Sequence, residues 1–175
     1  MAMSNEIAPP GGADEAVGDG ARDCAAGLVN PSTGLANDYL NVFSEILLLL
    51  EFLPEMPEMT DDALAWRPRG YCEYFEQSPL PGARDALRAY DRIDPNLRAH
   101  FESILTRLTD IAVKAQRRVA AESSSPNYPD SIVDSCEKTT SAMRAGLARV
   151  ASLINEGVKP RAAGPKPVPF QKAGH

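Results

Sequence analysis

Three stretches of the chain place apolar residues three and four positions apart, the period that puts them on one face of an α-helix. In the first, Leu35, Tyr39, Val42, Phe43, Ile46, Leu49, Leu50 and Leu53 form the apolar face, and Asn37, Asp38, Asn41, Ser44, Glu45 and Glu51 fall opposite. The hydroxyls of Ser32 and Thr33 suit a helix start and Pro54 a helix stop, so a helix is expected over about 33–53. In the second, Leu97, Phe101, Ile104, Leu108, Ile111, Ala115 and Val119 follow Asp94-Pro95, an N-cap acceptor followed by proline at the first helical position; the helix is expected over about 95–121. In the third, Val133, Cys136, Thr140, Met143, Leu147, Val150 and Ile154 mark a helix over about 131–156, with Gly157 as its C′ residue. Ala142, Ala145, Gly146, Ala148 and Ala151 beside that stripe would let a neighbouring helix come close.

Between the first two patterns the chain is broken by prolines into short pieces. Thr60 reads as an N-cap, with Met59 and Leu64 at the spacing of a hydrophobic staple, so short helices are expected at about 60–66, 71–77 and 83–93. The fold class is therefore all-α: an irregular bundle of three long helices, with the short ones at one end or standing in for a fourth.

Composition sets the limits of this domain. The 175 residues fit one core with appendages, and the 12 Gly and 15 Pro lie mostly outside the helical patterns. Residues 1–30 hold five acids against Arg22 and no aromatic residue, and read as a disordered acidic tail. Residues 158–175 hold four prolines among four cations and read as an extended basic tail, leaving 31–157 as the helical domain.

Charge and cysteine content narrow the chemistry. A net charge of −6 opposes binding to a phosphate backbone, so nucleic acid is not an expected partner. Cys24, Cys72 and Cys136 are odd in number and far apart, unlike a disulfide framework or a zinc site. They read as reduced thiols, Cys72 and Cys136 in or beside the core and Cys24 in the acidic tail. With no apolar run near the length of a membrane span, the expected location is the cytoplasm.

No pattern of catalysis emerges. His100 and His175 are the only histidines and no Glu-x-x-His occurs, so neither a metal nor another cofactor is expected. There is no G-x-S-x-G elbow and no phosphate-binding glycine loop.

What remains are surfaces. Arg84, Arg88 and Arg92 recur at four-residue spacing and would present a basic row to an acidic partner, unless Asp85, Asp91 and Asp94 neutralise it. Trp66, Tyr71, Tyr74, Phe75 and Tyr90 cluster in sequence, either as a satellite core or as anchors for a partner. Leu47 and Leu48 fall off the first stripe and point to central burial or a shared face.

The expected function is a non-enzymatic interaction module, an adaptor or small regulator, with Arg84, Arg88, Arg92, Tyr71, Tyr74, Leu47 and Leu48 contacting another protein. Two alternatives accompany it. One is a ligand-binding or enzymatic bundle with a pocket lined by Trp66, Tyr90 and His100. The other is a homo-oligomer assembled through the first long helix.

Overall fold

The computed structural model describes residues 27–158, and these form an all-helical bundle. The two tails expected beyond them, with Cys24, lie outside the described residues apart from 27–30 and Val158. Within the first tail's expected range, Val29 pairs with Ala36 in an isolated β-bridge, so the ordered domain begins before residue 31.

Six α-helices follow: α1 (Asn41–Phe52), α2 (Thr60–Ala65), α3 (Tyr71–Glu76), α4 (Ala83–Tyr90), α5 (Pro95–Glu122) and α6 (Val133–Glu156). Short 3-10 turns at Asn37–Leu40, Pro57–Met59 and Asp130–Ile132 lead into α1, α2 and α6. The helix α5 has 28 residues and is about 42 Å long. Its start is set as expected, with the Asp94 carboxylate accepting from the Asn96 and Leu97 amides at 2.9 and 3.0 Å.

Helix α6 runs antiparallel to both α5 and α1. Arg107 and Arg149 line one groove across the α5–α6 seam, while Asn37 donates to Asn155 and Arg144 pairs with Glu51 across the other. The long helices α1 and α5 consequently point the same way. The short helices α2, α3 and α4 carry the chain back from the end of one to the start of the other.

Helices α5 and α6 approach closely at Gly146, where a Cβ would lie 2.6 Å from Leu108 Cδ2. Gly157 ends α6 with φ of 71°, as a C′ glycine should, and its amide bonds the Leu153 carbonyl.

Several expected details differ. The first helix does not begin at 33: Pro31 to Gly34 make a turn, and the Thr33 hydroxyl donates to the Ile154 carbonyl instead of capping. Thr60 opens α2 but its hydroxyl bonds the Pro57 carbonyl, leaving Met59 in the N-cap position. On α5 the core stripe is Leu97, Phe101, Leu105, Leu108, Ala112, Ala115 and Val119, with Ile104 and Ile111 half-buried at its margin. The shift follows from packing, because α5 meets α1 and α2 as well as α6 and its buried face is wider than a single seam. At α6, Leu153 is buried, as is Ile132 in the 3-10 turn before it, whereas Val133 is exposed and Leu147 half-buried.

The aromatic residues belong to the main core. Trp66, Tyr71, Phe75 and Tyr90 are all buried with Phe43 and Phe101. Each polar tip has a partner: Trp66 Nε1 donates to the Val42 carbonyl at 3.0 Å, Tyr39 to the Arg69 carbonyl at 2.8 Å, and Tyr90 to Glu102 at 2.7 Å. Helices of six and eight residues are too short to persist alone, and these rings hold them in place.

Candidate functional site

Of the residues singled out from sequence, Leu47 and Tyr71 turn inward. Leu47 is 7% exposed and Tyr71 4% exposed, so neither offers a surface to a partner. Leu47 follows Ile46 on the side of α1 that meets the bundle, and Tyr71 lies among the rings of Tyr39, Phe75, Tyr90 and Phe101. Tyr74 is half-buried, its ring 5.5 Å from the Arg69 guanidinium.

The arginine row on α4 is solvent-facing but already compensated in part. Arg88 pairs with Asp85 one turn back, and together with Arg84 and the exposed Leu80 it borders a shallow depression that also contains Glu76. Arg92 stands apart from that depression, beyond the end of α4. The three guanidiniums therefore do not converge on one point.

The pocket expected between Trp66, Tyr90 and His100 does not form. These residues face three separate depressions, because Trp66 packs toward α1, Tyr90 toward the start of α3, and His100 toward α6. The depression beside Tyr90 encloses about 560 Å³ and gathers Tyr39, Tyr71, Cys72, Glu73, Glu102 and Asp110. Its hydroxyls are structural. Burial pushes Tyr39 up to about 12, with Glu73 adding to the rise and Arg69 opposing it. Burial also raises Tyr71, and it raises Tyr90 with the hydrogen-bonded Glu102 carboxylate reinforcing the effect.

Cys72 is exposed, unlike the core or boundary placement expected, because its neighbour Tyr71 takes the inward position on α3. Partial burial, then the carboxylates of Asp91 and Glu76, raise its thiol, which keeps it protonated at neutral pH and weak as a nucleophile. Cys136 is buried, and burial raises it as well. Among the described residues no group of histidine, cysteine and carboxylate side chains is placed to hold a metal ion. No described helix is long and apolar enough to cross a membrane.

An exposed apolar surface lies on the outer side of α1. Leu48 is 50% exposed and Phe52, one turn on, is 44% exposed; Met56 continues the row into the connection. Leu48, Leu49 and Phe52 form one wall of a groove of about 750 Å³, and Met59 and Trp66 help to close it. Its rim carries Glu45 and Asp62 on one hand and Arg67 and Arg69 on the other. The Trp66-Arg67 segment is pinned across α5, where Gln116 donates to the carbonyls of Ala63 and Trp66 at 2.8 and 2.9 Å. The groove therefore has one wall on a regular helix and the other on a segment fixed by hydrogen bonds.

Of these residues, the sequence marks Leu48 as a surface contact and Trp66 as either core or a partner anchor. Phe52 is legible as a continuation of Leu48 at a four-residue step on the side opposite the main stripe, whereas Met56 lies past the end of α1. Comparison with protein-family models, curated proteins and solved structures returns no match, so the reading of the site rests on its geometry.

Proposed function

We propose that this protein is a non-enzymatic helical interaction module, an adaptor or small regulator that docks another protein in the groove beside α1. The observation that carries this reading is the exposure of Leu48 and Phe52 on one face of α1, with Met56 just past its end, while the opposite face buries Val42, Phe43, Ile46 and Leu50. Exposed apolar side chains beside a groove are the usual signature of a docking surface, and a rim of mixed charge would fix orientation. An amphipathic helix of a partner suits it, laying anchors at four-residue spacing against Leu48 and Phe52. The arginines of α4 are a secondary surface in this reading, with Arg84 and Arg92 free to attract an acidic region of the same partner. The free thiols of Cys72 and Cys136 favour a reducing compartment such as the cytoplasm.

The test is site-specific. A photo-crosslinking residue at position 48 should capture one partner in stoichiometric amount from the native host. Leu48→Glu with Phe52→Glu should lose that partner while the domain still folds and melts cooperatively, since about half of each side chain is already in water. Undiminished capture by the double variant sinks the docking face, and the same loss in Arg84→Glu with Arg88→Glu alone would move the interface to α4.

A second copy of the chain is the other occupant the groove favours. Two carboxylates and two guanidiniums on one rim can pair with themselves across a two-fold axis, as a symmetric dimer requires. Sedimentation mass over a wide concentration range separates the two readings.

A further inference from the structure

A second groove of different chemistry lies on the α5–α6 seam, at the pole where α5 begins and α6 ends. It measures about 720 Å³ and is bordered by His100, Ser103 and Arg107 from α5 and by Arg149 and Ser152 from α6. Residues 100, 103 and 107 are spaced three and four apart, as are 149 and 152 within α6, so each set faces one side of its helix. Ile104, Ala148 and Leu153 supply the apolar part of the lining.

One feature distinguishes this groove from ordinary charged surface. Among the described residues no carboxylate lines it, in a chain with 24 acids against 18 lysines and arginines. Arg107 and Arg149, like Arg84 and Arg92 on α4, have no ion pair among the described residues, so both guanidiniums are open to a ligand. Two like charges lining one groove favour an anion between them. Glu156 sets a boundary on the α6 side, because Ser152 is hydrogen-bonded to it at 3.0 Å. An anion is thereby directed to the side where Arg107, Arg149, His100 and the Ser103 hydroxyl are available.

We propose that this groove binds a small amphipathic anion, a phosphate monoester or carboxylate carried on an apolar body. Arg107 and Arg149 clamp the anionic group from the two helices, a planar fork of donors on each side. Ser103 and His100 add donors at the α5 wall, and the apolar body covers Ile104, Ala148 and Leu153. The volume falls in the range of roughly 300–1,000 Å³ common to small-molecule sites. This site is independent of the docking face beside α1.

Calorimetric titration of the full chain with phenyl phosphate, benzoate, inorganic phosphate and neutral benzyl alcohol tests it. At least one aromatic anion should bind saturably, one per chain and about tenfold or more tighter than inorganic phosphate. Arg107→Gln and Arg149→Gln should each weaken it by about tenfold or more, as loss of a charge-assisted hydrogen bond does. Arg84→Gln, equally exposed on α4, should leave it unchanged. Preference for phenyl phosphate or for benzoate assigns the anionic group, and either supports the site. Three results overturn the proposal: no saturable binding of either aromatic anion, equal binding of benzyl alcohol, or equal weakening by Arg84→Gln, which would mark diffuse attraction.

Discussion

Tyr71 and Tyr90 lie nearly face to face, their ring centroids 4.5 Å apart and their planes inclined by 24°. The contact joins α3 to α4, and the Tyr71 hydroxyl reaches further, accepting from the Ala36 amide at 3.0 Å. One side chain thus ties two short helices to the segment that enters α1. Tyr71→Phe keeps the stacking and orphans the buried amide, and should cost about 1–3 kcal/mol in urea denaturation. A loss below about 0.5 kcal/mol would mean the Ala36 amide finds another acceptor.

Gln116 is the corresponding tie for α2. Its amide satisfies two carbonyls at the C-terminal end of a helix with too few turns to satisfy its own. Gln116→Ala should lower stability by about 1–2 kcal/mol and speed hydrogen exchange in residues 60–66 more than in α6. Uniform acceleration throughout the domain would contradict a local role.

At Gly146 two effects oppose each other. Alanine there gains about 1 kcal/mol in helix propensity, yet its Cβ would meet the buried Leu108 side chain. Overpacking wins because Leu108 is enclosed, and Gly146→Ala should destabilise by about 1–2 kcal/mol net. A cycle with Leu108→Val should return a coupling of about 0.5 kcal/mol or more, and a stabilised Gly146→Ala would show a looser seam.

High pH should unfold the domain through its tyrosines. Tyr39 is held at about 12 in the fold against 10.0 for the free side chain, so between these values the unfolded chain releases a proton that the folded one keeps. The contribution is complete below pH 10 and is lost as pH rises toward 12, and the upward shifts of Tyr71 and Tyr90 act in the same direction. Urea midpoints should fall through that window, in step with tyrosinate absorbance. Midpoints that stay level while absorbance rises would place ionised tyrosines in a folded core.

The parts of this structure legible in the sequence are those governed by neighbours along the chain. Asp94-Pro95 starts α5 and Gly157 ends α6 because capping is decided within a few residues. The helical period likewise marked which segments are helices. It did not resolve Ile104 from Leu105, or Leu47 from Leu48, since a rotation of one residue depends on which helices lie on each side. The Thr33 hydroxyl was read as a local cap and instead bonds Ile154, a partner remote in sequence. The docking groove was half legible: Leu48 stood out on α1, but Met59, Trp66 and Arg67 reach its edge only through the return path of the short helices. Arg107 and Arg149 drew no notice because neither forms a pattern until two distant helices lie side by side.

The bond from Thr33 to the Ile154 carbonyl, with Gly157 packed nearby, fastens the entry of the described chain to its exit. Mechanically, the bundle is a loop closed by a clasp. Tension applied through the two flanking sequences falls first on that clasp, peeling the last turn of α6 from Thr33 before it reaches the aromatic core. The same closure means that a linker joining the two ends need span only a short gap, so that new ends can be opened in the proline-broken connections between the short helices.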